Sequence, residues 1–159
     1  MSRRRALRAD QVDVWPFRRR GSRVEFLLLH RVHRRKGPGF WQGVSGNVDG
    51  DETAVETALR EHAEETGLPA RALYVIEASF LLYDVRRGTL RTVVPFGVEV
   101  PAARAPVLSE EHDAYCWVTF ARALARLPFE PQRVALQRLK TDVIDRPDRA
   151  RLLRVAMPA

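Results

Sequence analysis

The stretch GNVDGDETAVETALREHAEETGL, residues 46–68, combines the end signals of a helix with a dense set of acidic side chains. Thr53 and Glu56 have the spacing of a capping box, in which each side chain bonds to the other residue's backbone at a helix N-terminus. Gly67 is the residue type that commonly ends a helix, because it adopts a left-handed backbone conformation without strain. The sequence therefore predicts a helix over about residues 53–66.

The two long faces of this helix differ in chemistry. At about 100° per residue, the face expected to contact a core carries Val55, Ala58, Leu59, His62 and Thr66. The other face carries Glu61, Glu64 and Glu65. A solvated face with a pair such as Arg60 and Glu64 accounts for one or two acids, but the helix dipole disfavours negative charge in the last turn by about 0.3–1 kcal/mol per group. A hard divalent cation, Mg²⁺ or Mn²⁺, would offset the repulsion among three acids, so we expect a metal site here.

The rest of the chain reads as strands and helices of one domain. Strands are expected over QVDVWPFRR, RVEFLLLHRV, WQGVSGNV, LYVIEASFLLYDV, LRTVVPFGVEV and AYCWVTF. A hairpin turn is expected at Gly88, and two helices are expected to begin near Phe120 and after Pro131. This order predicts an α/β domain with a mixed sheet and helices packed against it. We expect a single domain over residues 11–159, preceded by a basic N-terminal tail over residues 1–10.

The charge of the chain favours a phosphate-bearing partner. The formal net charge is +7, and all but two of the 27 basic residues are arginine. No apolar run approaches the roughly 20 residues that a membrane helix needs, so we expect no membrane association. The single cysteine, Cys116, cannot form an internal disulfide, and we expect it to fill space in a buried strand of a cytoplasmic protein.

The opening stretch resembles the Nudix box, G-x5-E-x7-R-E-U-x-E-E-x-G-U, in which U is a bulky aliphatic residue. The matching residues are Gly46, Glu52, Arg60, Glu61, Glu64, Glu65, Gly67 and Leu68. The one departure is His62, which stands where the pattern has an aliphatic residue. The resemblance implies the Nudix fold, an α/β/α sandwich around a mixed β-sheet, for nearly the whole chain. Because His62 lies on the core face of the helix, we expect a core histidine with no part in the chemistry.

The resemblance also implies a role for each matching residue. Glu61, Glu64 and Glu65 would bind the catalytic Mg²⁺ or Mn²⁺, with Gly46 in a loop whose backbone comes close to the metal. Arg60 would pair with Glu52 and orient this loop against the helix. An exposed pair of little energetic weight is the alternative for these two residues. The implied reaction is substitution at phosphorus, in which the metal neutralises the phosphate and lowers the pKa of a bound water.

A base must take the proton of the attacking water, and either Glu61 or a carboxylate outside the box could do so. The resemblance favours Glu111, because many members of the family place such an acid just before a strand near the C-terminus. Its neighbour Glu110 competes for the role, and a plain loop acid is the alternative for both.

Basic and aromatic residues near the second strand are candidates for substrate binding. Arg31 and the basic residues 34–36 could clamp a polyphosphate, although residues 34–36 are equally compatible with a solvated loop. Phe40 and Trp41 could stack a base, whereas a place in the core is the alternative for aromatic residues beside a strand.

Two further segments, GFWQGVSGNVDGDET and EEHDAYCWV, resemble segments of the branch that hydrolyses dATP and dihydroneopterin triphosphate. They favour cleavage of a (d)NTP or a pterin triphosphate to the monophosphate and pyrophosphate. Tyr83 leaves a diadenosine polyphosphate hydrolase as an alternative function, because this chain resembles such enzymes in carrying a tyrosine downstream of the box. The proline of ADP-ribose pyrophosphatases is missing between Pro69 and Pro95.

A non-catalytic Nudix module that binds a nucleotide or RNA is the alternative from another class. Only the positive charge supports it, and the intact set of acids argues against it, because a module freed from catalysis need not keep them. We therefore expect a small nucleotide substrate as the partner and no stable nucleic-acid partner, while a homodimer stays open.

Overall fold

The computed structural model describes residues 7–32 and 38–158. Its strands are β1 Gln11–Arg20, β2 Arg23–Arg31, β3 Phe40–Gln42, β4 Val44–Asn47, β5 Ala72–Val75, β6 Phe80–Asp84, β7 Thr89–Glu99, β8 His112–Val118 and β9 Arg154–Val155. Its α-helices are α1 Ala54–Thr66, α2 Phe120–Arg126, α3 Glu130–Arg138 and α4 Pro147–Leu153, and a π-helical turn over Leu139–Ile144 continues α3.

Strand β1 is the centre of a mixed sheet. It pairs in parallel with β7 and antiparallel with β2 and β4, and the main path of the sheet runs β3-β2-β1-β7-β5-β9. Strand β8 adds to β2, and β6 adds to β7. Because β4 pairs with the first residues of β1, the chain that leads into α1 is held directly against the central strand.

Side chains alternate between the two faces of the sheet and form two cores. Trp15, Phe17 and Leu28 point into the core that α2, α3, the π-helical turn and α4 cover. Val14 and Leu29 point into the other core, which α1 covers. Helices therefore lie on both faces, and the expected α/β/α sandwich with a mixed β-sheet is confirmed.

Helix α1 begins and ends as the sequence predicts. The Thr53 hydroxyl accepts a hydrogen bond from the Glu56 backbone N–H, and the Glu56 carboxylate accepts one from the Thr53 N–H at 2.7 Å. At the other end Gly67 adopts a φ of 62°, and its N–H donates to the carbonyl oxygen of Ala63. Both ends of the helix are therefore fixed by local interactions before any packing is considered.

Several expectations about the other elements need correction. WQGVSGNV is two strands, β3 and β4, separated at Gly43, and LYVIEASFLLYDV is also two strands, β5 and β6. The π-helical turn, α4 and β9 were not expected at all. Cys116 is half-buried rather than buried, and Arg126 Nη1 lies 2.9 Å from its Sγ. The turn at Gly88, with a φ of 62°, and the start of α2 agree with expectation, whereas α3 begins at Glu130, one residue before Pro131 rather than after it.

The expected basic tail falls partly outside the described residues, since residues 1–6 are not among them. Within the remainder, the Asp10 carboxylate accepts a hydrogen bond from the Thr92 backbone N–H at 2.7 Å, which attaches this segment to β7. Among the described residues, no helix has the length and apolar character needed to cross a membrane.

The expectation of a core position for His62 agrees with the structure. Its side chain is 1% exposed, and neither ring nitrogen has a hydrogen-bond partner within the described chain. Burial lowers the pKa of His62 to about 4, and the nearby Leu68 backbone opposes this shift only in part. The imidazole is therefore neutral at pH 7, and its unsatisfied nitrogens make the folded state less stable than an aliphatic residue would.

We expect His62→Leu to raise the free energy of unfolding at pH 7.5 by about 1 kcal/mol or more. The unfolded histidine binds a proton near pH 6.5 and the folded one only near pH 4, so the wild type loses stability as the pH falls through this window. The leucine variant lacks that loss, which should amount to about 1–2 kcal/mol by pH 5. Urea unfolding of both proteins at pH 7.5 and 5 measures the loss of stability of each. An equal loss of stability in the two proteins would contradict the assignment.

Candidate active site

A polar cavity of about 320 Å³ lies where α1 meets the central strands, and we call it the acidic cavity. It is lined by Gln11, Arg31, Ser45, Gly46, Asn47, Glu61, Glu65, Arg91 and Glu111. A larger and more open cavity, about 980 Å³, lies between the chain start, the loop before α1 and the β6–β7 hairpin, but it holds none of the clustered acids of α1. The smaller cavity is therefore the candidate active site.

The expected pair between Arg60 and Glu52 is present and bidentate. Arg60 Nε and Nη2 donate to the two oxygens of Glu52 at 2.8 and 2.9 Å. The hydrogen bonds from Arg60 and then from Thr57 lower the pKa of Glu52 to about 2. Arg60 Nη2 also donates to the Asn47 carbonyl oxygen at 3.2 Å, so one guanidinium joins α1, the loop before it and β4.

Glu61 lines the acidic cavity and contacts Gly46 closely. A Cβ at Gly46 would overlap the Glu61 carboxyl group, so a side chain at this position would force the Glu61 carboxyl group to move. Gly46 lies in strand β4 and not in a loop, which corrects the expectation for this residue. Burial raises the pKa of Glu61, and a 2.7 Å hydrogen bond from Arg60 Nη1 opposes the shift.

Glu65 is buried in the last turn of α1, with only 4% of its surface exposed. Burial is the largest cause that raises its pKa to about 8, and the neighbouring carboxylates of Glu61 and Glu111 add to the shift. Its Oε2 has no hydrogen-bond partner among the described residues, and His112 Nε2 lies 3.9 Å from this atom. A buried carboxyl oxygen that accepts no hydrogen bond is available to coordinate a cation.

Glu64 stands apart from the other two acids of the helix. Its side chain is 58% exposed, it accepts a hydrogen bond from Arg60 Nη1 at 3.3 Å, and it does not line the acidic cavity. Within residues 7–32 and 38–158, no three His, Cys, Asp or Glu side chains are arranged to hold a metal ion together.

The chemistry of the acidic cavity nevertheless fits a hard divalent cation. The carboxylates of Glu61, Glu65 and Glu111 all line it, oxygen donors are those that Mg²⁺ and Mn²⁺ prefer, and Glu65 Oε2 is without a partner. Burial is the largest cause of the raised pKa values of Glu61 and Glu65, and neighbouring carboxylates add to both shifts. A nearby cation would favour the charged forms of both groups.

Arg31 and Glu111 form an ion pair in the lining of the acidic cavity. Arg31 Nη2 lies 3.7 Å from Glu111 Oε2, and both side chains are partly exposed. The register of β2 against β8 shifts between His30 and Arg31, and such an irregularity re-aims a side chain at the end of a strand. Glu110 does not line the cavity, so the geometry distinguishes the two neighbouring acids.

The two aromatic candidates separate. Phe40 lines an adjoining cavity of about 450 Å³, where its ring meets Phe129 edge to face at 5.4 Å between centroids. Trp41, one residue later on β3, packs against the core under α2, with Arg126 5.2 Å above its ring. Trp41 therefore packs against the core, which was the alternative to base stacking. Phe40 remains the candidate for stacking on a base. The basic residues 34–36 lie outside the described residues.

Sequence reasoning missed several residues that line the two cavities. Arg91 of β7 donates to the Asn47 side-chain oxygen at 2.7 Å inside the acidic cavity, and only the pairing of strands shows this proximity. Asp13 of β1 lines the adjoining cavity and is 4% exposed. A single acid inside the apolar run QVDVWPF was a signal in the sequence that could have identified Asp13.

Comparison with known proteins identifies the family. The family model described as NUDIX domain matches residues 7–139 of the chain. The asymmetrical bis(5′-nucleosyl)-tetraphosphatase of Mus musculus is 37% identical over 118 residues, which cover 73% of this chain and 78% of that protein. The structure of the E. coli dihydroneopterin triphosphate pyrophosphohydrolase matches with a TM-score of 0.67 and 25% identity, covering 88% of this chain and 100% of that one.

A third relative is much longer than the chain. An octanoyltransferase of Myxococcus xanthus is 34% identical over 128 residues, which cover 80% of this chain but only 35% of that protein. The similarity therefore concerns one part of the octanoyltransferase.

We expect Gly46→Ala to lower the free energy of unfolding by about 1–3 kcal/mol, because the new methyl group overlaps the Glu61 carboxyl group. The same substitution in a Glu61→Ala background should cost clearly less, because the overlapping group is gone. Urea unfolding of the wild type, the two single variants and the double variant measures the free energies of this double-mutant cycle. An identical cost in both backgrounds would show that Gly46 is required for another reason.

Proposed function

The chain belongs to the Nudix family, and on this premise we propose that it hydrolyses a phosphoanhydride bond of a nucleoside or pterin triphosphate. The products would be the monophosphate and pyrophosphate. The observation that carries this proposal is the acidic cavity, in which Glu61, Glu65 and Glu111 face Arg31 beside a second, partly apolar cavity. Carboxylates for a cation, arginine for phosphate and an apolar wall for a ring are the groups that such a substrate needs.

In this proposal Glu61 and Glu65 hold the divalent cation, Mg²⁺ or Mn²⁺, with Glu111 at the opposite wall. Glu64 belongs to the set by its place in the Nudix box, and its carboxylate would have to leave Arg60 to join the other two. When bound, the ion neutralises phosphate oxygens and lowers the pKa of the attacking water. Arg60 and Glu52 act as positioning residues, because their bidentate pair fixes the start of α1 next to β4.

We assign the proton transfer to Glu111. Its side chain is 59% exposed and lines the cavity, so it can reach a water that enters from solvent. Glu61 is less suited to accept a proton, because Arg60 donates to it at 2.7 Å and holds it in place. Arg31, 3.7 Å from Glu111, and Arg91 are placed to bind the phosphate oxygens of the substrate.

A diadenosine polyphosphate hydrolase is the second candidate function. The similarity to the mouse tetraphosphatase over 73% of this chain favours it. Tyr83, the residue that kept this activity open in the sequence, is exposed in β6 and lines neither the acidic nor the adjoining cavity. The triphosphate proposal therefore stays first, and Phe40 is its candidate for contact with the ring.

A substrate panel tests the proposed function. The purified protein would be incubated with Mg²⁺ and dihydroneopterin triphosphate, each dNTP, diadenosine tetraphosphate or ADP-ribose, and the products would be separated by chromatography. Pyrophosphate and a monophosphate from one of the triphosphates are the expected products. Exclusive cleavage of the diadenosine compound would favour the second candidate. Stable nucleotide binding without any turnover would favour a non-catalytic module.

We expect Glu65→Gln and Glu64→Gln each to reduce Mg²⁺-dependent pyrophosphate release roughly 100-fold or more, because each removes a negative charge opposite the cation. Their far-UV circular dichroism should match the wild type. Glu56→Gln is the matched control on the same helix, since glutamine can still complete the capping box. Full turnover by both variants would contradict the metal assignment. Full turnover by Glu64→Gln alone would restrict the ligands to the acids that line the cavity.

The neighbouring acids 110 and 111 allow a matched test of the base. We expect Glu111→Gln to lower kcat by about 10²–10⁴, the usual contribution of a positioned base, and Glu110→Gln to change it by less than about threefold. Steady-state pyrophosphate release at saturating substrate measures both. Equal effects would show that the loop, and not the proton acceptor, is what the substitutions disturb.

A further inference from the structure

The adjoining cavity, about 450 Å³, shares Gln11, Arg31 and Ser45 with the acidic cavity. The two spaces therefore meet at these three side chains. A molecule whose phosphates lie against Arg31 in the acidic cavity can extend its other end into the adjoining one. The apolar lining of the adjoining cavity includes Phe40 of β3 and Phe129, which meet edge to face. Its size and aromatic wall suit a planar heterocycle.

Asp13 lines this cavity and is 4% exposed, with Gln11 as its hydrogen-bond partner. Burial raises its pKa to about 7, and a hydrogen bond with Gln11 opposes the shift only slightly. No cation in the described chain contributes to the pKa of this carboxyl group. A carboxyl group inside a central strand costs folding free energy, so a ligand that bonds to it would explain its presence.

A second polar side chain of the same cavity has an atom without a hydrogen-bond partner. Gln132, in the first turn of α3, is 9% exposed, and its Oε1 has no hydrogen-bond partner among the described residues. Gln42 lines the cavity as well, but its Nε2 already contacts His112 Nε2 at 3.3 Å. The polar groups of the cavity with free capacity for a ligand are therefore hydrogen-bond acceptors: Gln132 Oε1, which has no partner among the described residues, and the Asp13 carboxylate, whose one hydrogen bond with Gln11 leaves lone pairs available.

We propose that Asp13 and Gln132 bind the ring of the substrate and select a 2-amino-4-oxopyrimidine edge, the edge that a pterin and guanine share. This inference rests on the proposed function, which puts the phosphates in the acidic cavity. The selected edge offers a ring N–H next to an amino group, and a carboxylate accepts both donors at once. Gln132 Oε1 accepts the remaining amino hydrogen.

Adenine offers a different edge to the same cavity. Its ring nitrogen is an acceptor beside the amino donor, so it would leave the Asp13 carboxylate opposite a lone pair. A site built to bond a donor discriminates strongly against a ring that lacks it. Arg31 and Arg86 are the other charged groups that line this cavity, and neither of them contributes to the pKa of Asp13. The structure thereby assigns a preference for pterin and guanine triphosphates over dATP.

The test compares kcat/KM for dihydroneopterin triphosphate, dGTP and dATP at pH 8 with Mg²⁺, in the wild type and in Asp13→Asn. We expect the wild type to prefer the first two over dATP by about tenfold or more. The asparagine variant, which presents an amide N–H to the ring N–H, should lose most of that preference. Asp142→Asn is the matched control, because Asp142 is also buried but pairs with Arg149 at 3.3 Å in the π-helical turn. It should keep the wild-type preference.

Binding of GMP and AMP, measured by calorimetry with Mg²⁺, separates the two proposals. Turnover with an unchanged ratio of kcat/KM values in Asp13→Asn overturns the assignment of Asp13 and leaves the proposed function intact. Selective GMP binding that Asp13→Asn abolishes, without turnover of any triphosphate, overturns the proposed function and supports the ring site. If Asp13→Asn does not fold, Gln132→Ala at the helix start gives the same comparison, and an unchanged preference there overturns the proposal.

Discussion

The bidentate pair between Arg60 and Glu52 is the interaction on which the geometry of the acidic cavity depends. Through it the guanidinium holds the loop before α1, and through the Asn47 carbonyl oxygen it holds the end of β4. The same group donates to Glu61. Because β4 pairs with β1, one side chain fixes the distance between the acidic helix and the centre of the sheet. Ion pairs that solvent can reach contribute little to stability, so the Arg60–Glu52 pair matters chiefly because it positions the residues that it joins.

The acids of α1 and of the loop before it differ in their cost to the fold. Glu52 and Glu56 are satisfied by Arg60 and Thr53, and their pKa values are lowered. Glu65 is buried beside other carboxylates, and its pKa is raised to about 8. A fold stabilises the first kind by itself, whereas the second kind is stable as an anion only with an added cation. Acids that have partners within the chain and acids that are buried beside other carboxylates therefore differ in the direction of their pKa shifts.

Much of this arrangement could be predicted from local signals. The capping box and Gly67 predicted the bounds of α1, and the box motif contained three of the residues that line the acidic cavity, Gly46, Glu61 and Glu65. The exposure of Glu64 and the burial of Glu65 could not be predicted, because they depend on how α1 tilts against β4 and where Arg60 reaches. The position of Arg91 in the cavity could not be predicted either, because the pairing of strands brings it beside Asn47, which is 44 residues earlier in the sequence. The π-helical turn and the separation of Phe40 from Trp41 likewise arise from packing.

Strand β1 explains why two cavities of different chemistry adjoin. Alternate residues share a face of a strand, so Gln11, Asp13, Trp15 and Phe17 lie in one row. The last two are buried under the helices that follow the sheet, whereas the first two line cavities. One face of one strand thus changes from cavity wall to core within a few residues. Asp13 sits at that boundary, where the surroundings are apolar enough to raise its pKa and open enough to admit a ring. A carboxyl group in this place has strong hydrogen-bonding capacity, because water competes weakly with a ligand there.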